Sequence, residues 1–87
     1  MWHAYILKCS DNSLYTGVTT DVSRRVKEHN SGKGGSYTRS HLPVKLLYQE
    51  NHSTRSKALK REIQIKRLPR SQKLSLIENN KKILKKF

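Results

Sequence analysis

The run from Ala4 to His29, AYILKCSDNSLYTGVTTDVSRRVKEH, constrains the fold more than any other stretch of this chain. Trp2 to Cys9 is rich in aromatic and branched residues and lacks glycine and proline, which is the composition of a strand. Ser10-Asp11-Asn12-Ser13 is turn chemistry, because Asp and Asn tolerate left-handed backbone and bond to their own chain. Leu14 to Thr19 returns as a second strand, and Asp21 offers its carboxylate as the N-cap of a helix. On that helix Val22, Val26 and His29 share one face, with Arg25 at its edge and Arg24, Lys27 and Glu28 towards water. Gly17 is costly inside a strand, so a bulge or the close approach of a ligand is expected there.

Further along, Ser31 to Ser36 reads as a mobile connector; its Gly-Lys pair at Gly32 and Lys33 lacks the spacing of a phosphate-binding loop. Pro43 precedes a third strand over 44–50, in which Val44, Leu46 and Tyr48 alternate while Leu47 blurs the pattern. Ser53 or Thr54 caps a second helix that runs to about Leu68 and stops at Pro69. There Ala58, Glu62 and Ile65 recur on one stripe, with Leu59 and Ile63 alongside. A carboxylate in such a stripe is expensive without a partner, and Arg25 and Lys66 are the candidates. Ser71 caps a third helix, SQKLSLIEN. The expected fold is a small α/β (α+β) domain over residues 1–80: a three-stranded, mainly antiparallel sheet flanked by three helices. Residues 81–87, KKILKKF, are expected to form a solvated basic tail.

Eighty-seven residues make one small domain, and with only 33% hydrophobic residues its core must be thin. The formal net charge of +13 is self-repulsive and calls for a polyanionic partner, nucleic acid ahead of an anionic membrane or an acidic protein. Residues 1–54 carry seven Lys/Arg against four Asp/Glu (+3) and residues 55–87 carry twelve against two (+10), so the last third is the expected phosphate grip. One cysteine, Cys9, excludes an intramolecular disulfide and a cysteine-based metal cluster. That fits a reducing cytoplasm, and neither a signal peptide nor a membrane span is read.

Five groups are expected to face inward yet able to react: Tyr5, Tyr15, Arg25, His29 and Glu62. A lone carboxylate can hold one Mg²⁺ that keeps most of its waters, arginine gives phosphate two directed donors, and tyrosine or histidine can move protons. The set suffices for metal-assisted phosphodiester cleavage, although each member taken alone also has an ordinary structural role. Ala4-Tyr5-Ile6 and Tyr15-Thr16-Gly17, followed by Asp21, Arg24-Arg25 and His29, resemble the signature of the GIY-YIG nuclease superfamily, and Ala58 to Glu62 with Ile65-Lys66 resembles its metal-binding helix. The chain is most similar to short stand-alone members, which share a Gly-Lys loop and a Tyr-Thr-Arg segment, here Tyr37-Thr38-Arg39.

The resemblance implies roles. Tyr5 is the general base with Tyr15 assisting, Arg25 clamps the phosphate, His29 orients or relays a proton, and Glu62 holds one Mg²⁺ or Mn²⁺. Gly17, Arg24, Lys33, Tyr37, Arg39 and Lys66 would meet the nucleic acid, with DNA preferred to RNA. Ala4 and Thr16 depart from the family's glycine and isoleucine, and the spacing does not decide whether Asn79 or Asn80 fills the place of the asparagine that many members use. The implied activity is a metal-dependent DNA endonuclease of repair or recombination. The alternatives are a non-catalytic DNA- or RNA-binding module that keeps the fold, and a protein associated with RNA or the ribosome. One geometric condition follows. A two-residue turn at Asp11-Asn12 would send the rings of Tyr5 and Tyr15 to opposite faces, so the hairpin needs a bulge or an odd-length loop.

Overall fold

A computed structural model describes residues 1–85, with side chains as far as Asn80. Strands β1 (Trp2–Lys8) and β2 (Leu14–Thr19) are followed by helices α1 (Val22–Asn30) and α2 (Ser36–Arg39). Strand β3 (Lys45–His52) and helices α3 (Arg55–Arg67) and α4 (Arg70–Lys85) complete the chain. The three strands form an antiparallel sheet in the order β2-β1-β3. This is the expected α+β architecture with four helices rather than three. The addition, α2, is a single short turn with no apolar periodicity to announce it.

The hairpin meets its geometric condition. The Cys9 N–H donates to the Ser13 carbonyl at 2.9 Å and the Asn12 N–H to the Cys9 carbonyl at 3.0 Å, leaving a loop of three residues. Asn12 closes it at φ 70°, the left-handed position such loops require. Tyr5 therefore pairs with Gly17 and Leu7 with Tyr15, and partners across a ladder point to the same face. The second irregularity lies between β1 and β3, where Ile6 pairs with Tyr48 but Leu7 with Leu46. Leu47 is the extra residue, which explains the blurred alternation there.

Alternation along β1 divides the core into two thin layers. Tyr5, Leu7 and Cys9 join Val44 and the partly buried Tyr15, Val26 and Leu42 on the α1 side. Ile6 joins Tyr48, Ile65 and Ile77 under α3 and α4. Helix α3 is capped by Thr54, whose side chain accepts from the Lys57 N–H at 3.2 Å, and it buries Ala58 and Ile65. Ile63, grouped by the sequence with that stripe, instead faces water. Helix α4 starts at Arg70 rather than after a Ser71 cap, because the Pro69 carbonyl accepts from the N–H groups of Gln72 and Lys73. It also continues past Asn79 to Lys85, through most of the stretch expected to be a tail; the side chains of 81–85 and residues 86–87 lie outside the described residues. Among the described residues, no helix is long and apolar enough to cross a membrane.

Candidate active site

The odd loop and the capped α1 helix bring Tyr5, Tyr15 and His29 together. Asp21 starts α1 by accepting from the Arg24 N–H at 3.0 Å, and two turns later the apolar face of the helix delivers His29, fully buried, against the sheet. Tyr5 Oη lies 3.1 Å from His29 Nε2, and His29 Nδ1 lies 2.8 Å from Thr38 Oγ1. The Thr38 hydroxyl faces the Gly35 carbonyl at 3.5 Å. One proton arrangement satisfies the whole line: Thr38 donates to Gly35, His29 Nδ1–H donates to Thr38, and Tyr5 donates to the bare Nε2. The Tyr15 ring stands edge-on to His29 with centroids 5.3 Å apart, and 6.4 Å from that of Tyr5.

Burial pushes the Tyr5 phenol up to about 12; the nearby Arg25 guanidinium opposes this, while Tyr15 and Glu62 add to it. Tyr5 is thus a neutral donor at physiological pH. Burial also lowers His29 from 6.5, assisted by Arg25 and opposed by Glu28, so its ring is neutral with Nε2 free to accept. A histidine depressed on folding binds fewer protons folded than unfolded, so its contribution to stability is present above 6.5 and is lost as pH falls through its folded value. Thermal melts should therefore show the wild type losing stability below that pH more steeply than a His29→Gln variant. Parallel curves would show that His29 does not set the acid limb.

Two glycines make room for this line. A Cβ on Gly17 would stand 2.5 Å from Tyr5 Oη, so the close approach expected at Gly17 is made by Tyr5 itself. The second is Gly34, in the segment read as a mobile connector. That segment is packed: Lys33 N–H donates to the Glu28 carbonyl at 2.9 Å, Arg25 Nη2 donates to the Gly34 carbonyl at 3.2 Å, and Gly34 is buried against His29. Arg25 also donates through Nη1 to Glu28 at 3.0 Å, and its guanidinium lies close enough to the Tyr5 hydroxyl to act on it. Thr38 was missed as a site residue, since its only signal was membership of the Tyr-Thr-Arg segment. Thr38→Val should strand the buried Nδ1–H at a cost of about 1–3 kcal/mol and mix the His29 tautomers, whereas Thr38→Ser keeps both. Urea unfolding and ¹⁵N shifts of the His29 ring check this.

Sequence comparison follows the same residues. The family description "GIY-YIG catalytic domain" matches residues 1–75. The chain belongs to the GIY-YIG family. It is similar to UPF0213 proteins of Staphylococcus haemolyticus (54% identity, covering 87% of this chain and 93% of the relative) and Halobacterium salinarum (51%, covering 87% and 99%). Among solved structures, it resembles the solution NMR structure of the UPF0213 protein BH0048 from Bacillus halodurans, with TM-score 0.58 and 43% identity over 90% of this chain and 84% of that one. Membership implies a nuclease-like chain that meets nucleic acid.

In this GIY-YIG domain Glu62 lies on α3 with its side chain 16% exposed, and Lys66 pairs with its Oε1 at 2.9 Å, so of the two expected partners Lys66 takes the carboxylate. Its charge reaches Tyr5. Neither asparagine joins the site: Asn79 is exposed, and Asn80 borders a groove with Leu46 and Tyr48 at the β3 edge, across the sheet from β2. Arg24, Lys33, Tyr37 and Arg39 are all exposed, Arg24 in an ion pair with Glu28 at 3.2 Å. Five of the six carboxylates are engaged, Asp11 with Ser13, Asp21 as a cap, Glu28 with two arginines, Glu50 with Arg61, and Glu62 with Lys66. Among the described residues, most of the excess positive charge faces solvent.

Proposed function

We propose that this protein is a metal-dependent endonuclease that hydrolyses phosphodiester bonds in DNA. The observation that carries the reading is the hydrogen-bonded line Tyr5–His29–Thr38, with the Arg25 guanidinium beside the Tyr5 hydroxyl. Tyr15, the less buried tyrosine, orients the attacking water at the rim. The Tyr5–His29 pair behind it accepts the proton, Tyr5 passing its own to Nε2 as it takes one from the water side. Arg25 holds the scissile phosphate with the donors that Glu28 and Gly34 leave free.

Glu62 fits a Mg²⁺ or Mn²⁺ ion. It is a single, partly shielded carboxylate with one oxygen on a solvent-exposed lysine, and such ions need one or two carboxylates because they keep their waters and use phosphate oxygens. Among the described residues, no group of three His, Cys, Asp or Glu forms a closed cage for an ion. When bound, the ion supplies Lewis-acid stabilisation of the transferring phosphoryl group.

The test is cleavage of branched and damaged DNA with Mg²⁺ or Mn²⁺. Cleavage that requires the ion and disappears in Glu62→Gln, with DNA affinity retained, supports the reading; equal activity in both proteins overturns it. Salt-sensitive binding without cleavage under any ion or substrate shape would favour the non-catalytic binding module. That second reading rests on the unneutralised basic surface.

A further inference from the structure

We infer that Tyr37, backed by His41, is a stacking platform for an unpaired nucleobase beside the scissile phosphate, which directs this site to single-stranded or locally opened nucleic acid. The inference rests on the nuclease reading for what happens next to the base, but the platform is defined without it. The Tyr37 and His41 rings are stacked, with centroids 4.5 Å apart and an interplanar angle of 22°. Polar contacts tie the pair to its surroundings. Tyr37 Oη donates to Ser13 Oγ at 2.7 Å, His41 Nδ1 donates to the Tyr37 carbonyl at 2.7 Å, and His41 Nε2 stands 3.4 Å from Asp11 Oδ2. Yet Tyr37 remains 46% exposed.

Those bonds latch α2 to the hairpin loop through polar atoms alone and use none of the exposed area of the ring. A latch does not account for a large ring kept open to water on a chain that has only six aromatic residues of the Phe, Trp and Tyr type. A rigid exposed ring stacks only on a base whose face is free, and the bases of a duplex have both faces covered by their neighbours. Position supports the same occupant. Ser13, which holds the Tyr37 hydroxyl, precedes Tyr15 by two residues, ~7 Å along an extended strand, about two stacked bases. Tyr37 is also next to Thr38, which holds His29. Lys33 and Arg39, four residues before it and two after it in the chain, are exposed and suit a phosphate backbone.

The test is binding in EDTA, so that no cleavage is needed, to a single-stranded oligonucleotide carrying 2-aminopurine and to its fully paired duplex. Tyr37→Leu should weaken single-strand binding by roughly tenfold and abolish the 2-aminopurine quenching, leaving the duplex affinity unchanged, since a stacked base accounts for such a loss. Tyr37→Phe should keep the 2-aminopurine quenching and bind single strands more tightly than Tyr37→Leu, which separates the ring from its hydroxyl. Tyr37→Trp should tighten single-strand binding, and it carries the test if the leucine variant does not fold. Unchanged single-strand affinity in Tyr37→Leu, equal losses for both DNAs, or no gain in Tyr37→Trp would overturn the inference. A wild type that binds this way but cleaves nothing would retire the nuclease reading and leave the platform standing.

Discussion

Glu62→Gln should cleave DNA ~1,000-fold more slowly than the wild type while binding it at least as tightly, because Lewis-acid help of ~4 kcal/mol at the phosphoryl group corresponds to that factor. The substitution keeps the shape and removes one charge from a side chain 16% exposed. It frees Lys66, which is 54% exposed, so the broken ion pair costs the fold little. Removing a negative charge from a chain of +13 should slightly raise affinity for a polyanion. Cleavage and affinity therefore move in opposite directions, which general damage to the fold cannot produce. Broadening of the Glu62 amide signal by Mn²⁺, present in the wild type and absent in the variant, checks the ion site without reference to turnover.

Gly34→Ala should destabilise the domain by roughly 2–4 kcal/mol and abolish cleavage, the sum of an overpacked contact and a broken buried hydrogen bond. The new methyl would fall inside contact distance of the His29 ring and 2.7 Å from His29 Cα. The ring can rotate, but the backbone of α1 cannot give way without pulling His29 from both Tyr5 and Thr38. For a chain of this length, total stability is only about 4–13 kcal/mol, so the loss is a large fraction of it. Urea unfolding with an unchanged slope, together with a shifted His29 ring signal, is the expected result. Wild-type stability would show that the loop yields and that Gly34 does not position the histidine.

The parts of this molecule that were legible in the sequence are those written in a local code. Alternation in Trp2–Lys8, the side chain of Asp21 and the stripe from Val22 to His29 are each properties of neighbours in the chain, and each appears as read. A nucleic-acid partner, which family membership supports, was read from charge, and the grouping of Tyr5, Tyr15 and His29 from the family motifs joined to the need for an odd hairpin. Illegible were features defined by a partner across space. Gly34 carries no chemical group; its contribution is room for a ring on another element. Thr38 matters through one bond to His29, and Leu47 through a shift in pairing that no single strand encodes. The asparagines stayed undecided for a related reason, because their spacing from Glu62 does not say where α4 turns relative to the sheet.

The three-residue loop of the hairpin gives this surface turn an uncommon status. Loop tips ordinarily accept insertions and deletions at small cost, which makes them the usual places to graft a tag or open a chain for permutation. Here the count of residues between Cys9 and Ser13 is a parity bit: one more or one fewer and every side chain of one strand changes sides. Tyr15 would leave Tyr5 and His29, and Gly17 would no longer lie beneath the Tyr5 ring. Substitution at Ser10 or Asp11 is a matter of degree, whereas a change of length there is all or nothing. Sequence drift in this tip should therefore be graded in identity, narrowest at Asn12 with its φ of 70°, and frozen in number.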